Sequence, residues 1–250
     1  MRILISNDDG INAPGFAVLE RIAASLSDDV WVVAPETEQS GAGHSLTLHR
    51  PLRVRHVGER RMAVDGTPTD CVMLALNNLI PDERPTLMLS GVNRGSNIAD
   101  DVTYSGTIAA AMEATILGVP SIALSQHYGD GERVRWQTVE AHASGTIRRL
   151  IAKGWPGNVL LNLNFPDVEP DDVIGIEACR QGQHKFGDAL IERLDPRGRP
   201  YYWIGEMRNT ERKESGTDAE AIERGVITVT PLCLDLTHEP TLAKLADALK

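Results

Sequence analysis

Arg2-Ile3-Leu4-Ile5-Ser6, followed by Asn7-Asp8-Asp9-Gly10, is the stretch on which the reading of the chain turns. A short apolar run that stops at two adjacent acids and a glycine reads as a buried strand delivering carboxylates to one point at its tip. Neighbouring carboxylates repel each other and are costly to dehydrate, so such a tip calls for a counter-charge. No lysine or arginine follows closely after Arg2. A divalent cation fills that gap, because Asp, Asn and Ser oxygens suit hard ions such as Mg2+ and Mn2+. The plainer reading of the same residues is an Asp8 cap with an ordinary turn at Asp9-Gly10.

Working outward, Pro14 opens a helical pattern with Phe16, Leu19, Ala23 and Leu26 on one face, ending before Asp28-Asp29. Val30 to Ala34 is a second apolar run stopped by Pro35. Strand, helix, strand implies parallel neighbours and a right-handed crossover. The loop from Glu36 to His44 leaves the second strand at the edge where Asp8 emerges, and Ser40 lies in it. Leu46-Thr47-Leu48 and Leu52 to Arg55, flanking Pro51, alternate as a short hairpin. Thr67-Pro68-Thr69-Asp70 is a helix start with a Thr cap, Pro at the first position and an acid three residues on, after which Cys71, Leu74 and Ala75 face inward. Thr86 to Ser90 is the next strand and runs into Gly91-Val92-Asn93-Arg94-Gly95-Ser96-Asn97, more decoration than a connector needs, although a turn-rich loop reads the same way.

Tyr104-Ser105-Gly106-Thr107 precedes a helix from Ile108 to Ala114 that is too apolar for a surface. Its free N–H groups, the Ser105 and Thr107 hydroxyls and the bare Gly106 make a candidate phosphate cradle; simple capping by Ser105 is the alternative. Without a lysine it is no Walker A motif. A strand at Gly118 to Ser125, a helix face of Trp136, Val139, Ala143, Ile147 and Leu150, and a strand at Asn158 to Leu163 complete the alternation. The expectation is an α/β fold over 1–165: a Rossmann-like, mostly parallel sheet with helices on both faces. Residues 166–250 read as an extension with hairpins, an aromatic cluster at Tyr201, Tyr202 and Trp203, a charged run from Arg208 to Glu214, a strand at Val226 to Thr230 returning to the core, and an amphipathic helix from about Pro240. Exposed aromatics on irregular hairpins point to an arm that packs on another subunit or covers the domain's own site.

The chain of 250 residues carries 25 basic and 35 acidic side chains, a net charge of -10 that disfavours long nucleic acids as partners but permits a small phosphorylated substrate. Three distant cysteines, Cys71, Cys179 and Cys233, fit a reducing compartment, with Cys71 read as a buried inert thiol. The amino-terminal apolar run is too short for a signal peptide, and the most apolar later stretch holds Glu113 and Pro120, so a cytoplasmic protein without membrane spans is expected. His44, His49, His56, His127, His142, His184 and His238 form no H-x-x-x-H pair; His44 alone draws notice, because it follows Ser40 in the strand-tip loop. Gly43 to Thr47 lacks the closing glycine of a nucleophile elbow. The first turn has no Gly-x-Gly-x-x-Gly, against a dinucleotide oxidoreductase. Adjacent acids, in place of Asp-x-Asp, count against a haloacid-dehalogenase-type phosphatase.

Ser6-Asn7-Asp8-Asp9-Gly10, Ala34-Pro35 with Gln39-Ser40-Gly41, Gly66 to Cys71, Ser90 to Asn97, Tyr104 to Thr107, Tyr202-Trp203-Ile204-Gly205 and Thr228 to Leu232 together resemble the stationary-phase survival protein SurE family. The resemblance spans nearly the whole chain, with Thr86 standing where the family usually has an acid. It implies a metal-dependent nucleotidase that hydrolyses nucleoside 5′- and 3′-monophosphates to nucleoside and phosphate. It further implies that Asp8, Asp9, Ser40 and Asn93 hold one divalent cation per subunit, Mg2+ or Mn2+, and that Asn97, Ser105, Gly106 and Thr107 bind the substrate phosphate. Asp8, Asp9 and Asn97 would be the catalytic residues, and the chain would be a homodimer or homotetramer. A non-catalytic, metal-dependent nucleotide sensor would share every one of these binding residues.

Overall fold

Arg2–Ser6 forms strand β1, and Ile3, Leu4 and Ile5 are fully buried in it because the sheet is covered on both faces. The computed structural model describes residues 1–129, 133–183, 190–204 and 214–250; His184, Gly205 and the charged run from Arg208 to Lys213 lie outside them. Helix α1 (Pro14–Leu26), with a proline in its first turn, buries Phe16, Leu19, Ile22 and Ala23 and returns the chain to β2 (Asp29–Pro35), parallel to β1. The β1, α1, β2 unit is the one the sequence pattern predicts.

Three further strands extend the parallel array on the other side of β1: β5 (Leu87–Arg94), β6 (Ser121–Gln126) and β7 (Val159–Phe165). Helices α2 (Pro68–Leu74) and α3 (Gly106–Ile116) cover one face, packing Cys71, Val72, Ile108 and Ala111 on Leu4, Met88 and Ala123. On the other face α1 and α4 (Trp136–Lys153) pack Phe16, Leu19, Val139 and Ile147 on Ile5, Leu89 and Leu124. The α/β class, the mostly parallel sheet and the helices on both faces are therefore as expected.

The hairpin is not where alternation placed it. It joins β3 (Val54–Gly58) to β4 (Arg61–Val64), and β4 pairs parallel with β2. Leu48 is 85% exposed, and the Thr47 N–H is taken by Asp70 Oδ1 at 3.1 Å, so the segment around Leu46 has no ladder to join. β5 also runs past Gly91, which pattern reading treats as a stop, and reaches Arg94 after a register shift between Ser90 and Asn93.

Among the described residues, with β8 spanning Gly175–Ala178 and β11 Val226–Cys233, nine strands form the sheet in the order β3-β4-β2-β1-β5-β6-β7-β11-β8. β11 inserts antiparallel to β7 and parallel to the edge strand β8. A separate antiparallel hairpin, β9 (Leu190–Leu194) with β10 (Pro200–Ile204), exposes every residue of both strands, Tyr201, Tyr202 and Trp203 included. A short helix α5 (Asp218–Glu223) precedes β11, and the terminal helix α6 (Glu239–Ala248) buries none of its residues. Among the described residues no helix is long and apolar enough to cross a membrane.

Candidate active site

β2 and β5 flank β1 on opposite sides, so the chain changes direction at β1 and a crevice opens at the carboxyl ends of these strands. Asp8 and Asp9 follow β1, Ser40 follows β2, and Asn93 lies at the end of β5 with Asn97 just beyond it. These five residues and Ser105, the cap of α3, line one cavity of about 650 Å³. Four chain segments far apart in sequence thus meet at one place because parallel strands end on one edge.

Asp8 is only 4% exposed and rests against the amino end of α3. The Thr107 hydroxyl donates to its Oδ1 at 2.5 Å, and the N–H groups of Gly106 and Thr107 also favour its charged form. Burial nevertheless outweighs these donors and holds the Asp8 carboxyl above the usual range. Asp9 is pushed up to about 6, first by burial and then by the charge of Asp8; Glu38 adds to the rise, and the Arg94 N–H, donating to Asp9 Oδ2 at 3.3 Å, opposes it. Two buried, adjacent carboxylates of this kind are costly to ionise together, and a cation bound beside them would favour their charged forms.

Among the described residues no group of three or more His, Cys, Asp and Glu is placed to hold a metal, so a donor set here must mix the carboxylates with neutral oxygens. The side chains supply them. Asn93 donates its Nδ2 to the Gly95 carbonyl at 2.8 Å and Ser40 donates its hydroxyl to Glu38 Oε1 at 2.9 Å, which leaves the oxygens of both with lone pairs for a cation. Asn7 Oδ1, buried at the same strand tip, has no hydrogen-bond partner. An excess of oxygen acceptors over donors fits a hard divalent ion.

The expected phosphate-binding residues divide into two groups. Asn97 and Ser105 line the cavity, and Ser105 Oγ accepts the Ile108 N–H at 3.1 Å while keeping its own hydrogen to donate. Gly106 and Thr107 meet Asp8 and are not among the lining residues. A Cβ at Gly106 would stand 2.6 Å from Asp8 Cβ, so glycine is required there for the approach of Asp8.

Some site residues escaped sequence reasoning. Glu38 lies two positions before Ser40 in the same loop, and that proximity was the available signal. Arg94 and Tyr128 also line the cavity, the guanidinium 5.2 Å from the ring centroid. Conversely, His44 pairs with Glu113 of α3 at 3.0 Å and does not line the cavity. Cys71 is fully buried, and burial pushes its thiol well up, as an inert packing residue requires.

Comparison with known proteins agrees with this geometry. The family model described as survival protein SurE matches residues 3–188. A protein of Paramagnetospirillum magneticum named 5′-nucleotidase SurE is 62% identical over 248 residues, which cover 99% of this chain and 95% of that protein. One of Rhodospirillum rubrum with the same name is 58% identical over 250 residues, with the same coverage. The crystal structure of the SurE protein from Aquifex aeolicus superposes over 100% of both chains with a TM-score of 0.87 at 37% identity. With its acidic strand tip, its crevice and these matches in agreement along nearly the whole length, the chain belongs to the SurE family.

Proposed function

We infer that the protein is a metal-dependent 5′-nucleotidase, hydrolysing nucleoside 5′-monophosphates to nucleoside and inorganic phosphate. The observation that carries the reading is the meeting of Asp8 and Asp9, at the tip of β1, with Asn93, Asn97 and Ser105 around one cavity. Asp8, Asp9, Ser40 and Asn93 would hold one divalent cation, and four oxygen donors favour Mg2+ or Mn2+ over Zn2+. When bound, the cation supplies charge that neutralises phosphoryl oxygens and acidifies water.

The chain's own residues do the rest. Asn97 and Ser105 donate to phosphoryl oxygens, where negative charge is concentrated as in-line displacement proceeds. Thr107 and the amino end of α3 steady Asp8, and through it the donor set. A water oxygen bonds to phosphorus as the ester bond to the ribose oxygen breaks, and a proton ends on that leaving oxygen. Nucleoside 3′-monophosphates present the same phosphate and are included among the substrates. The three cysteines are free, in keeping with a cytoplasmic setting. The exposed face of β9–β10 is assigned to a contact between subunits, in a homodimer or homotetramer.

Phosphate release from a panel of nucleoside 5′- and 3′-monophosphates tests the assignment, using protein stripped with chelator and then given Mg2+, Mn2+ or Zn2+. Release that is lost on stripping and restored best by Mg2+ or Mn2+ is expected. Nucleotide binding without release under any metal would make the protein a sensor instead, and full activity with no metal by elemental analysis would remove the cation from the scheme.

A further inference from the structure

Asn162 and Asn164 are polar residues in β7, a strand whose other members are apolar, and both are fully buried. Residues two apart on a strand share a face, and these point towards the segment that carries Asn97. Asn164 Oδ1 accepts the Asn97 N–H at 2.8 Å, while its Nδ2 donates to the Asn97 carbonyl at 3.2 Å. Asn162 Nδ2 donates to that same carbonyl at 2.7 Å, and its Oδ1 accepts from Asn164 Nδ2 at 3.4 Å. The two amides therefore do for Asn97 what a neighbouring strand does for a paired residue, satisfying its N–H and its C=O together.

The side chain of Asn97 is fixed as well. Its Nδ2 donates to Ser125 Oγ at 2.8 Å, and Ser125 is the register partner of Asn164 in the adjacent strand. One Nδ2 hydrogen remains for a ligand, with its direction set by the first. Two residues further on, Ala99 adopts φ 50, a left-handed conformation that persists only where the surroundings impose it. They do so here: Asp218 Oδ2 accepts the Ala99 N–H at 3.2 Å and Gln181 Nε2 donates to the Ala99 carbonyl at 2.8 Å.

We propose that Asn162 and Asn164 are positioning residues for the nucleotidase reaction, which hold the Asn97 peptide so that its side-chain amide meets the substrate phosphate. The inference rests on the phosphate role assigned to Asn97 above. A primary amide is needed at 164 because it offers an acceptor and a donor to one peptide unit. Aspartate supplies no donor and leucine supplies neither group. Loss of the Asn164 amide would leave the buried Asn97 N–H unpaired and the Asn97 carbonyl held by Asn162 alone, letting the segment shift, and small displacements of a binding group weaken its hold on the transition state.

The test is a double-mutant cycle on the metal-loaded protein with a nucleoside 5′-monophosphate as substrate. Asn97→Ala is expected to lower kcat/KM by about 10- to 100-fold, the range for a hydrogen bond to a charged group. Asn164→Ala alone should lower it by about tenfold, yet by less than twofold when Asn97→Ala is already present, because Asn164 acts through Asn97. Mn2+ affinity, measured by titration without nucleotide, should be the same in Asn164→Ala as in the parent, and inorganic phosphate should bind more weakly. Should Asn164→Ala fail to fold by circular dichroism, Asn162→Ser replaces it, shortening the donor to the Asn97 carbonyl. Full multiplication of the two losses overturns the positioning role while leaving the role of Asn97 intact. Parental activity in Asn97→Ala overturns the role of Asn97 itself.

Discussion

Gly106 is the residue at which the structure most changes the chemistry expected of a variant. Sequence reasoning sets Gly106 against the phosphate and apart from the expected metal ligands Asp8, Asp9, Ser40 and Asn93. A Cβ there would stand 2.6 Å from Asp8 Cβ and 2.9 Å from Asp8 Oδ2, so Asp8 must move. Gly106→Val is therefore expected to weaken Mn2+ binding and nucleotide binding together, by tenfold or more in parallel titrations of folded protein. Ser105→Ala keeps the metal site and loses one donor to phosphate, so only nucleotide affinity and turnover should fall, with about 1 kcal/mol of stability lost with the cap. Unchanged Mn2+ affinity in Gly106→Val would show that Asp8 is no ligand. Asp8→Asn and Asp9→Asn should each remove most turnover at saturating metal while circular dichroism still reports a folded chain. His127, behind the cavity-lining Ser96, supplies a pH test: it is half-buried, its Nδ1 lies 3.2 Å from Ser96 Oγ, and burial lowers its pKa against the opposing charges of Asp167 and Glu223. A base whose folded pKa lies below its unfolded value favours folding when neutral. That contribution is present above the unfolded pKa, near 6.5, and is lost as pH falls through and below it. His127→Gln should thus lose less Tm than the parent between pH 7.5 and 5.5, and the difference between the two proteins cancels the titration of groups not coupled to His127; Asp167, which is coupled to it, is held below its usual range and so titrates below this window. At this scale Asp8, Asp9, Ser40, Asn93, Asn97 and Ser105 were legible because acids, amides and hydroxyls at strand tips stand out from apolar runs. Asn162 and Asn164 were not, since a strand of mostly Val, Leu and Phe reads as core and its partners lie more than sixty residues away.

Among the elements, those with strong local signals were read correctly and those decided by distant partners were not. Thr67 and Asp70 form the full reciprocal cap of α2, Thr67 Oγ1 accepting the Asp70 N–H at 3.1 Å and Asp70 Oδ2 accepting the Thr67 N–H at 2.9 Å. Thr67→Ala should cost about 1 kcal/mol in urea unfolding, seen as a lower midpoint at unchanged slope, with activity per folded molecule intact because α2 lies away from the cavity. A variant as stable as the parent would mean that the contacts of Asp70 with the Thr47 and Thr67 N–H groups alone hold this turn. β4 escaped notice because Arg61-Met62-Ala63-Val64 is short and becomes a strand through its pairing with β2. β5 was cut short for a related reason: a glycine inside a strand reads as an end, whereas here β6 pairs with Asn93 and Arg94 beyond the irregularity and carries the strand to the site.

Over the whole molecule the hairpin β9–β10 is the feature a single chain leaves unexplained, with Tyr202, Trp203 and Ile204 between 59% and 82% exposed. Light scattering at micromolar concentration should give at least a dimer, and the paired change Tyr202→Ser with Trp203→Ser should shift it towards monomer without loss of helical signal. A monomer in the parent protein would free the hairpin for another role. Ile204, next to Trp203 in β10, lines the candidate cavity, so disturbing the hairpin with the same variant is expected to change KM more than metal affinity. β11 has a consequence for synthesis. It occupies the place between β7 and β8 although residues 166–225 separate it from β7 in sequence. A ribosome will therefore have released every acidic and amide residue of the site before the sheet can close beside β7. In that interval the nascent chain carries an unpaired, apolar strand edge, the usual starting point for wrong pairing between chains. The residues of the candidate site are made early, and the strand that protects the sheet bearing them is made late.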